Sequence, residues 1–343
     1  MVKLGERFGN GSEISEKLIN QAYNENKWFT PENIKGAFNA LSINLKQEAL
    51  NTWTGAYKIA DNHSMLEIAI VMAGNIPMVG AHDLLTVLVS GNAAKVKLSS
   101  KDELLMKFII DELKTIEPML AERVEIVEIM KDFDGIIATG SNNSARYFEY
   151  YFNKYPNIIR KNRSSVAILD GTESDEQLAR LGEDVFTYFG LGCRNVSKLF
   201  LKKGYDPEKV LSALASYKKV KENNKYMNNF DYNLSIYILN KTPYLSNDFL
   251  ILTESESISS PVASLYYEYY EGDEDLAGRL EQQKAEIQCY VTDTKQDLLI
   301  KHDIQPTSLG NSQTPALWDY ADNVDVMDFV LGLRKKRPLI RLI

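Results

Sequence analysis

The spacing of hydrophobic residues changes near position 66, and the change separates two textures. Over the first fifty residues apolar and polar positions mix at helical intervals, and Thr30 stands where it can cap a helix opening on Pro31. This stretch reads as a helical lead-in. From Leu66 the pattern tightens, and Ile68 to Ala73 is a continuous apolar run of strand length, suited to a strand buried on both faces of a parallel sheet. Gly74-Asn75-Ile76-Pro77 breaks the run. A helix from about Met78 to Val89, ended by Gly91-Asn92, and a strand over Ala94 to Leu98 complete a βαβ unit.

The unit repeats. Ser99-Ser100 can cap a helix from Asp102 to about Ile116, and strands follow at Val124 to Val127 and Gly135 to Thr139. Such alternation predicts an open, mostly parallel α/β sheet of Rossmann type. After Gly140-Ser141 a helix runs through Asn153 and stops before Pro156, Val166 to Leu169 forms one more strand, and Asp170-Gly171 reads as a domain junction. Ser174 with Gln177 then predicts a capping box for a helix bearing Leu178, Leu181, Val185 and Phe189 on one face. That helix runs out at Gly190-Leu191-Gly192-Cys193. No internal repeat or low-complexity segment is present.

Length and composition narrow the classes. At 343 residues, with 44% hydrophobic and 25% charged positions, the chain suits two globular domains. A net charge of -8 argues against a nucleic-acid partner, and the cluster Arg334-Lys335-Lys336-Arg337 reads as a solvated tail. Two cysteines make no disulfide framework, and Met1 to Asn10 lacks a signal core, so a cytoplasmic protein is expected. No apolar run approaches the roughly 18–20 residues of a membrane span.

Among reactive residues Cys193 is the sharpest candidate, because a glycine-rich tripeptide directly after a helix lets backbone and substrate approach its sulfur. Position alone leaves an inert buried cysteine as the alternative. Cys289, flanked by Ile287-Gln288 and Tyr290, reads as structural. None of His63, His82 and His302 has metal-ligand spacing, so no metal site is expected. Ser141, at the head of a helix that follows a strand, is a candidate anion site. No Gly-x-Gly-x-x-Gly or Walker-type motif accompanies the strands. The aromatic run Tyr266 to Tyr270 reads as packing.

Taken in order, four segments resemble the aldehyde dehydrogenase superfamily, which binds a dinucleotide on a Rossmann-like sheet without the usual glycine fingerprint. Ala73-Gly74-Asn75-Ile76-Pro77 is similar to the family's Pro-Trp-Asn-Phe-Pro, and Ser90-Gly91-Asn92 with Lys95 to Ser99 to its Ala-Gly-Asn…Lys-Pro-Ser. Thr139-Gly140-Ser141 resembles Thr-Gly-Ser, and Gly190 to Cys193 resembles Gly-Gln-x-Cys. Within the superfamily the LuxC-type acyl-CoA reductases, the fatty acid reductase subunits, are most similar, as Ser260-Pro261-Val262 and Pro315 to Tyr320 also suggest.

Three departures matter. The hydrolytic members' water-activating glutamate is replaced by Ile159, which cannot take a proton, so a thioester on Cys193 would meet a thiol such as coenzyme A rather than activated water. Ser257 stands where the family places a glutamate that steadies the nicotinamide ribose. Ser100 stands where NAD-preferring members often carry a ribose-binding glutamate, which leans toward NADPH over NADH.

The resemblance implies two Rossmann-type parallel-sheet domains. The expected division is a helical lead-in with a dinucleotide-binding domain over 1–169, a catalytic domain over 170–312 and a C-terminal return and oligomerisation segment over 313–343. It implies an acyl-CoA reductase in which Cys193 forms the thioester and the Asn75 amide joins the Cys193 backbone N–H in an oxyanion hole. Lys97 would hydrogen-bond the adenosine ribose and Ser141 with the helix start behind it would contact the pyrophosphate, with Ser99, Ser100, Thr139 and Gly140 also binding the cofactor. Other activated carboxyls, an acyl phosphate or acyl-protein, remain alternative substrates, as does a non-catalytic scaffold that kept the fold. A homo-oligomer pairing through a strand at Pro338 to Ile343 and a synthetase or transferase supplying the acyl group are further expectations.

Overall fold

The computed structural model describes residues 1–9, 14–59 and 64–335. Two compact units divide the chain, the first made of the residues through Asn162 together with those from Ala316 onward, the second of Arg163–Pro315.

The first unit opens with four helices, α1 (Val2–Gly9), α2 (Glu16–Glu25), α3 (Pro31–Asn44) and α4 (Gln47–Gly55). Thr30 caps α3 through the N–H of Asn33, with Pro31 as the first helical residue. The alternating elements follow as β1 (Glu67–Val71), α5 (Ala81–Val89), β2 (Ala93–Lys97), α6 (Glu103–Ile116), α7 (Pro118–Ala121), β3 (Val124–Ile126), β4 (Gly135–Thr139), α8 (Asn142–Phe152) and β5 (Asn157–Arg160). The strands form one parallel sheet in the order β3-β2-β1-β4-β5. Ile68, Ala69 and Ile70 are wholly buried, as an uninterrupted apolar run at a sheet centre requires. Growth proceeds outward from β1 through β2 to β3 and resumes on the other side with β4, so the carboxyl ends of β1 and β4 flank the topological switch point.

The second unit contains β6 (Ser164–Leu169), α9 (Asp175–Phe186), β7 (Val196–Lys202), α10 (Glu208–Ala213), α11 (Asn224–Asn240), β8 (Leu245–Ser246), β9 (Ile251–Glu254), β10 (Ser264–Tyr270), α12 (Asp273–Gln283), β11 (Ile287–Val291), α13 (Gln296–Lys301) and β12 (Pro306–Thr307). Its sheet runs β12-β11-β6-β7-β10-β9-β8, parallel except for the short antiparallel β8. A core of Val166, Ile168, Phe200, Tyr270, Leu276 and Tyr290 fills one face.

The chain then returns to the first unit. Tyr320 accepts a hydrogen bond from the Trp53 indole at 2.7 Å and meets the Tyr57 hydroxyl at 2.9 Å, while Tyr57 donates to Asp325 at 2.6 Å. The last helix, α14 (Val326–Lys335), lies so close to β4 that a Cβ on Gly135 would sit 2.5 Å from the Leu333 Cδ1.

Several expectations change in detail. The strand at Val166 to Leu169 pairs with β7 and β11 and so belongs to the second sheet, which puts the division before it, at 162/163, rather than after Leu169. Strand β5 was absent from the pattern altogether. Helix α5 starts three residues later than its apolar spacing suggests, because Met78 is held in the left-handed region at φ 56. Asp102, not Ser99 or Ser100, occupies the cap position of α6, since Ser99 instead accepts the N–H of Lys101 in a preceding turn. Helix α9 ends at Phe186, and Phe189 sits beyond it in left-handed backbone. The expected strand at Pro338 to Ile343 and His63 lie outside the described residues.

Candidate active site

Cys193 lies in the connection between α9 and β7. The capping box of Ser174 and Gln177 starts α9, and its end is a tight reversal in which Tyr188, Phe189 and Gly190 all take positive φ (52, 58 and 77°). Two successive non-glycine residues in that region are strained, and such strain persists only where neighbours over-determine the backbone. Here Asn195, only 2% exposed, supplies the restraint. Its amide N–H groups donate to the carbonyls of Asp184 at 3.0 Å and Thr187 at 2.8 Å, and its Oδ1 accepts the Gly192 N–H at 2.8 Å. One side chain thus ties the end of α9 to the peptide before the cysteine. Ser165 on β6 fixes the far side, donating to the Cys193 carbonyl at 3.1 Å and accepting from the Cys289 N–H at 3.1 Å. Cys193 is half-buried and Cys289 buried, and both are thiols. The Arg194 guanidinium donates to the Cys289 sulfur at 3.2 Å.

A second loop, after β9, carries Ser257 and is anchored by its backbone. Lys198, wholly buried on β7, donates to the carbonyls of Ser255 and Ser257 and pairs with Glu268 on β10 at 2.8 Å. Ser197 donates to the Ile258 carbonyl at 2.7 Å and Gln283 to that of Glu256 at 3.0 Å. Burial pushes the Lys198 ammonium below its usual range, against the pull of Glu268.

In the first unit the other expected residues gather at the carboxyl ends of three adjacent strands. Asn75 follows β1, Lys97, Ser99 and Ser100 end or follow β2, and Thr139, Gly140 and Ser141 end or follow β4. Ser141 is the N-cap of α8 and accepts the N–H of Ser144 at 3.2 Å. Helix α8 therefore aims its positive end at the switch point, where open α/β sheets hold phosphate groups. Lys97 donates to the Glu128 carbonyl at 2.7 Å and Ser100 is exposed. Arg160 on β5 forms a bidentate buried pair with Asp83 of α5, at 2.6 and 3.0 Å, and reaches the Thr139 hydroxyl at 3.4 Å. It thereby braces the Thr-Gly-Ser turn. Ile159, beside it, packs against the cluster of Ala69, Ile136 and Ala138.

The loop bearing Asn75 leans on the loop after β2. Gly74 must lack a Cβ, which would fall 2.5 Å from the Ser99 hydroxyl. Asp102, buried, accepts the Met78 N–H at 2.7 Å, and its Oδ1 has no hydrogen-bond partner. Desolvation pushes this carboxyl up to about 8. Sequence reasoning missed Asp102, Asn195, Lys198 and the Arg160–Asp83 pair. Only Lys198 left a plain signal, a charge amid the strand pattern of Val196 to Leu201.

His82 meets the Leu317 carbonyl at 2.8 Å, lies tilted against Trp53 and meets Tyr320 edge-on, a role in holding the return segment. Among the described residues no group of three or more His, Cys, Asp or Glu could hold a metal ion, and no helix is long and apolar enough to cross a membrane.

The fold is that of the aldehyde dehydrogenases. An aldehyde dehydrogenase 21 from Physcomitrella patens, solved with the reaction product succinate, superposes with a TM-score of 0.71 at 11% identity, over 97% of this chain and 83% of that one. A glyceraldehyde-3-phosphate dehydrogenase from Methanocaldococcus jannaschii complexed with NADP gives 0.68 at 10% identity, over 91% and 80%. A propionaldehyde dehydrogenase from Clostridium phytofermentans gives 0.61 at 10% identity, over 91% and 84%. No curated protein matches the sequence. The family model described as acyl-CoA reductase (LuxC) matches residues 26–227, a span that takes in the Asn75 loop, both strand ends of the switch point and the Cys193 loop. On that match, which covers more than half its length, the chain belongs to the LuxC family of acyl-CoA reductases.

Proposed function

We propose that the protein reduces an acyl-CoA to its aldehyde with NADPH, through a thioester on Cys193. The observation that carries the reading is the Cys193 loop itself, a half-buried thiol that follows the strained reversal at Tyr188 and Phe189 and is clamped by Asn195 and Ser165, within a chain of this family. The Cys193 thiolate attacks the acyl carbonyl, the charge that develops on oxygen would be met by the Cys193 N–H and, by the family resemblance, the Asn75 amide, and coenzyme A leaves as its thiolate. When bound, the reduced nicotinamide supplies a hydride to the acyl carbon. The resulting thiohemiacetal on Cys193 collapses to aldehyde and thiolate.

The residues at the switch point suit such a cofactor. The positive end of α8 and the Thr139-Gly140-Ser141 turn would take the pyrophosphate, and Lys97, Ser99 and Ser100 the adenosine ribose. Ser100 brings no negative charge against a 2′-phosphate. By the family resemblance Ile159 stands in place of the water-activating carboxylate, and an isoleucine cannot take a proton, which favours thiols and hydride over water at the thioester.

Cys193→Ser should abolish acyl-CoA-dependent NADPH oxidation while the melting temperature stays that of the wild type; undiminished turnover would refute the thioester route. A panel of acyl-CoA, acyl phosphate and acyl-protein donors separates the first substrate class from the other two.

A further inference from the structure

Helix α11 carries exposed apolar residues along a flank of its buried side. Tyr226, Phe230, Asn233 and Tyr237 form its buried side. At 100° per residue, Tyr232, Ile236 and Leu239 line up about 120° round the helix from that side, next to a polar face of Asn228, Asp231 and Ser235, and they are 66%, 38% and 78% exposed; Ile238, 55% exposed, stands on the other flank. A surface helix ordinarily turns polar residues outward, so this stripe of roughly 20 Å, counted with Lys225 at its head, calls for a cover.

The charge around it says which kind. Lys218, Lys219 and Lys221 lie in the short 3-10 segment Leu214–Glu222 immediately before α11, Lys225 is in its first turn, and Lys241 follows its last residue, all of them exposed. Glu222 and Asp231 are the acidic residues interspersed among them. A protein of net charge -8 thus gathers cations at both ends of one apolar stripe, four of them at the helix end where the dipole disfavours positive charge. Covering by the same helix of a second copy brings lysines against lysines whichever way the helices run. A separate protein partner of stable affinity needs about 800 Å² from each side, more than three side chains on one convex helix offer. A flat anionic surface meets both requirements with modest area, since apolar side chains enter the interface while lysines reach the headgroups.

We infer that the Tyr232, Ile236 and Leu239 flank of α11, with the lysines at the two ends of the helix, docks the protein reversibly on an anionic lipid surface. The inference is independent of the reaction proposed above. Flotation of the purified full chain with phosphatidylcholine vesicles, with and without phosphatidylglycerol, tests it. Binding should need phosphatidylglycerol and weaken as salt rises. The double variant Ile236→Asp/Leu239→Asp should lose binding, and Lys218→Glu/Lys221→Glu should weaken it by about fivefold or more per lysine. All four side chains are exposed, so unchanged melting temperatures will show that the variants fold. The inference falls if wild-type protein ignores phosphatidylglycerol at low salt, or if both variants float like the wild type. It falls equally if sedimentation reveals a dimer that Ile236→Asp/Leu239→Asp dissolves while lipid binding is absent.

Discussion

Asn195 holds the peptide of Gly192 at 2.8 Å while its amide spans two carbonyls at the end of the preceding helix. The pair closes a reversal that the backbone alone disfavours, and Cys193 lies inside the closed loop. Asn195→Ala would leave three or more polar groups without their partner, at a cost of about 2–4 kcal/mol. Turnover should fall further than stability, by about 100-fold, because a small displacement of a nucleophile is expensive in rate. Thermal melting beside steady-state kinetics checks this; a variant that melts early but turns over normally per folded molecule would contradict it.

Lys198 and Glu268 form a buried pair that also secures the loop after β9. Lys198→Met leaves the buried Glu268 carboxylate with its longer contact to Arg279 at 3.4 Å and should destabilise by about 2–4 kcal/mol. Adding Glu268→Leu should restore much of that loss while leaving the loop carbonyls of Ser255 and Ser257 without their donor. The double variant should therefore be stable yet show a raised KM for the cofactor, whereas a purely structural pair would leave that KM unchanged.

The buried carboxyl of Asp102 makes stability depend on pH in a definite direction. Its folded pKa, about 8, lies above the unfolded value near 4, so the folded state holds a proton that the unfolded chain releases. That stability is fully present below about pH 4 and is lost as pH rises to about 8. Asp102→Asn keeps an acceptor for the Met78 N–H without the titration. Its advantage over wild type should grow across this window to a few kcal/mol. Chemical denaturation at several pH values measures it, and parallel curves for the two proteins would rule it out.

Ser100 is exposed, so a carboxylate can be installed there without disturbing the core. Ser100→Glu should shift the NADPH-to-NADH ratio of kcat/KM by about tenfold or more toward NADH, since a like charge would face the 2′-phosphate. An unaltered ratio would mean that Ser100 does not approach the adenosine ribose.

Gly135 admits Leu333 where any side chain would intrude. Gly135→Ala should cost about 1–3 kcal/mol through overpacking, and Leu333→Ala in the same chain should relieve part of it. Additive losses in the double variant would show that the two positions do not share this contact.

How much the sequence revealed follows from where burial is continuous. Ile68 to Ala73 was legible as a central strand because both of its faces are covered, and Ser174 with Gln177 announced α9 because a capping box is a local device. The Asn157 to Arg160 strand escaped notice: it is four residues long, an edge, and half of it is polar. Asp102 and Asn195 escaped for another reason. Each acts on backbone groups through its side chain, and nothing in residue spacing marks which carbonyl or N–H a polar side chain will reach. The family motifs supplied Cys193 and Asn75, while their supports became visible only in three dimensions.

The return of residues 316–335 to the first unit has a consequence for synthesis. The second unit is one unbroken stretch of chain, whereas the first lacks α14 and Tyr320 until the far end is made. At ribosomal speeds of about 5–20 residues per second, its β4 and α4 wait roughly ten to fifty seconds for those partners. The order of completion on the ribosome is thus reversed relative to the order of emergence, and stalled nascent chains ending before Ala316 should resist protease in their later half while the earlier half is still cut.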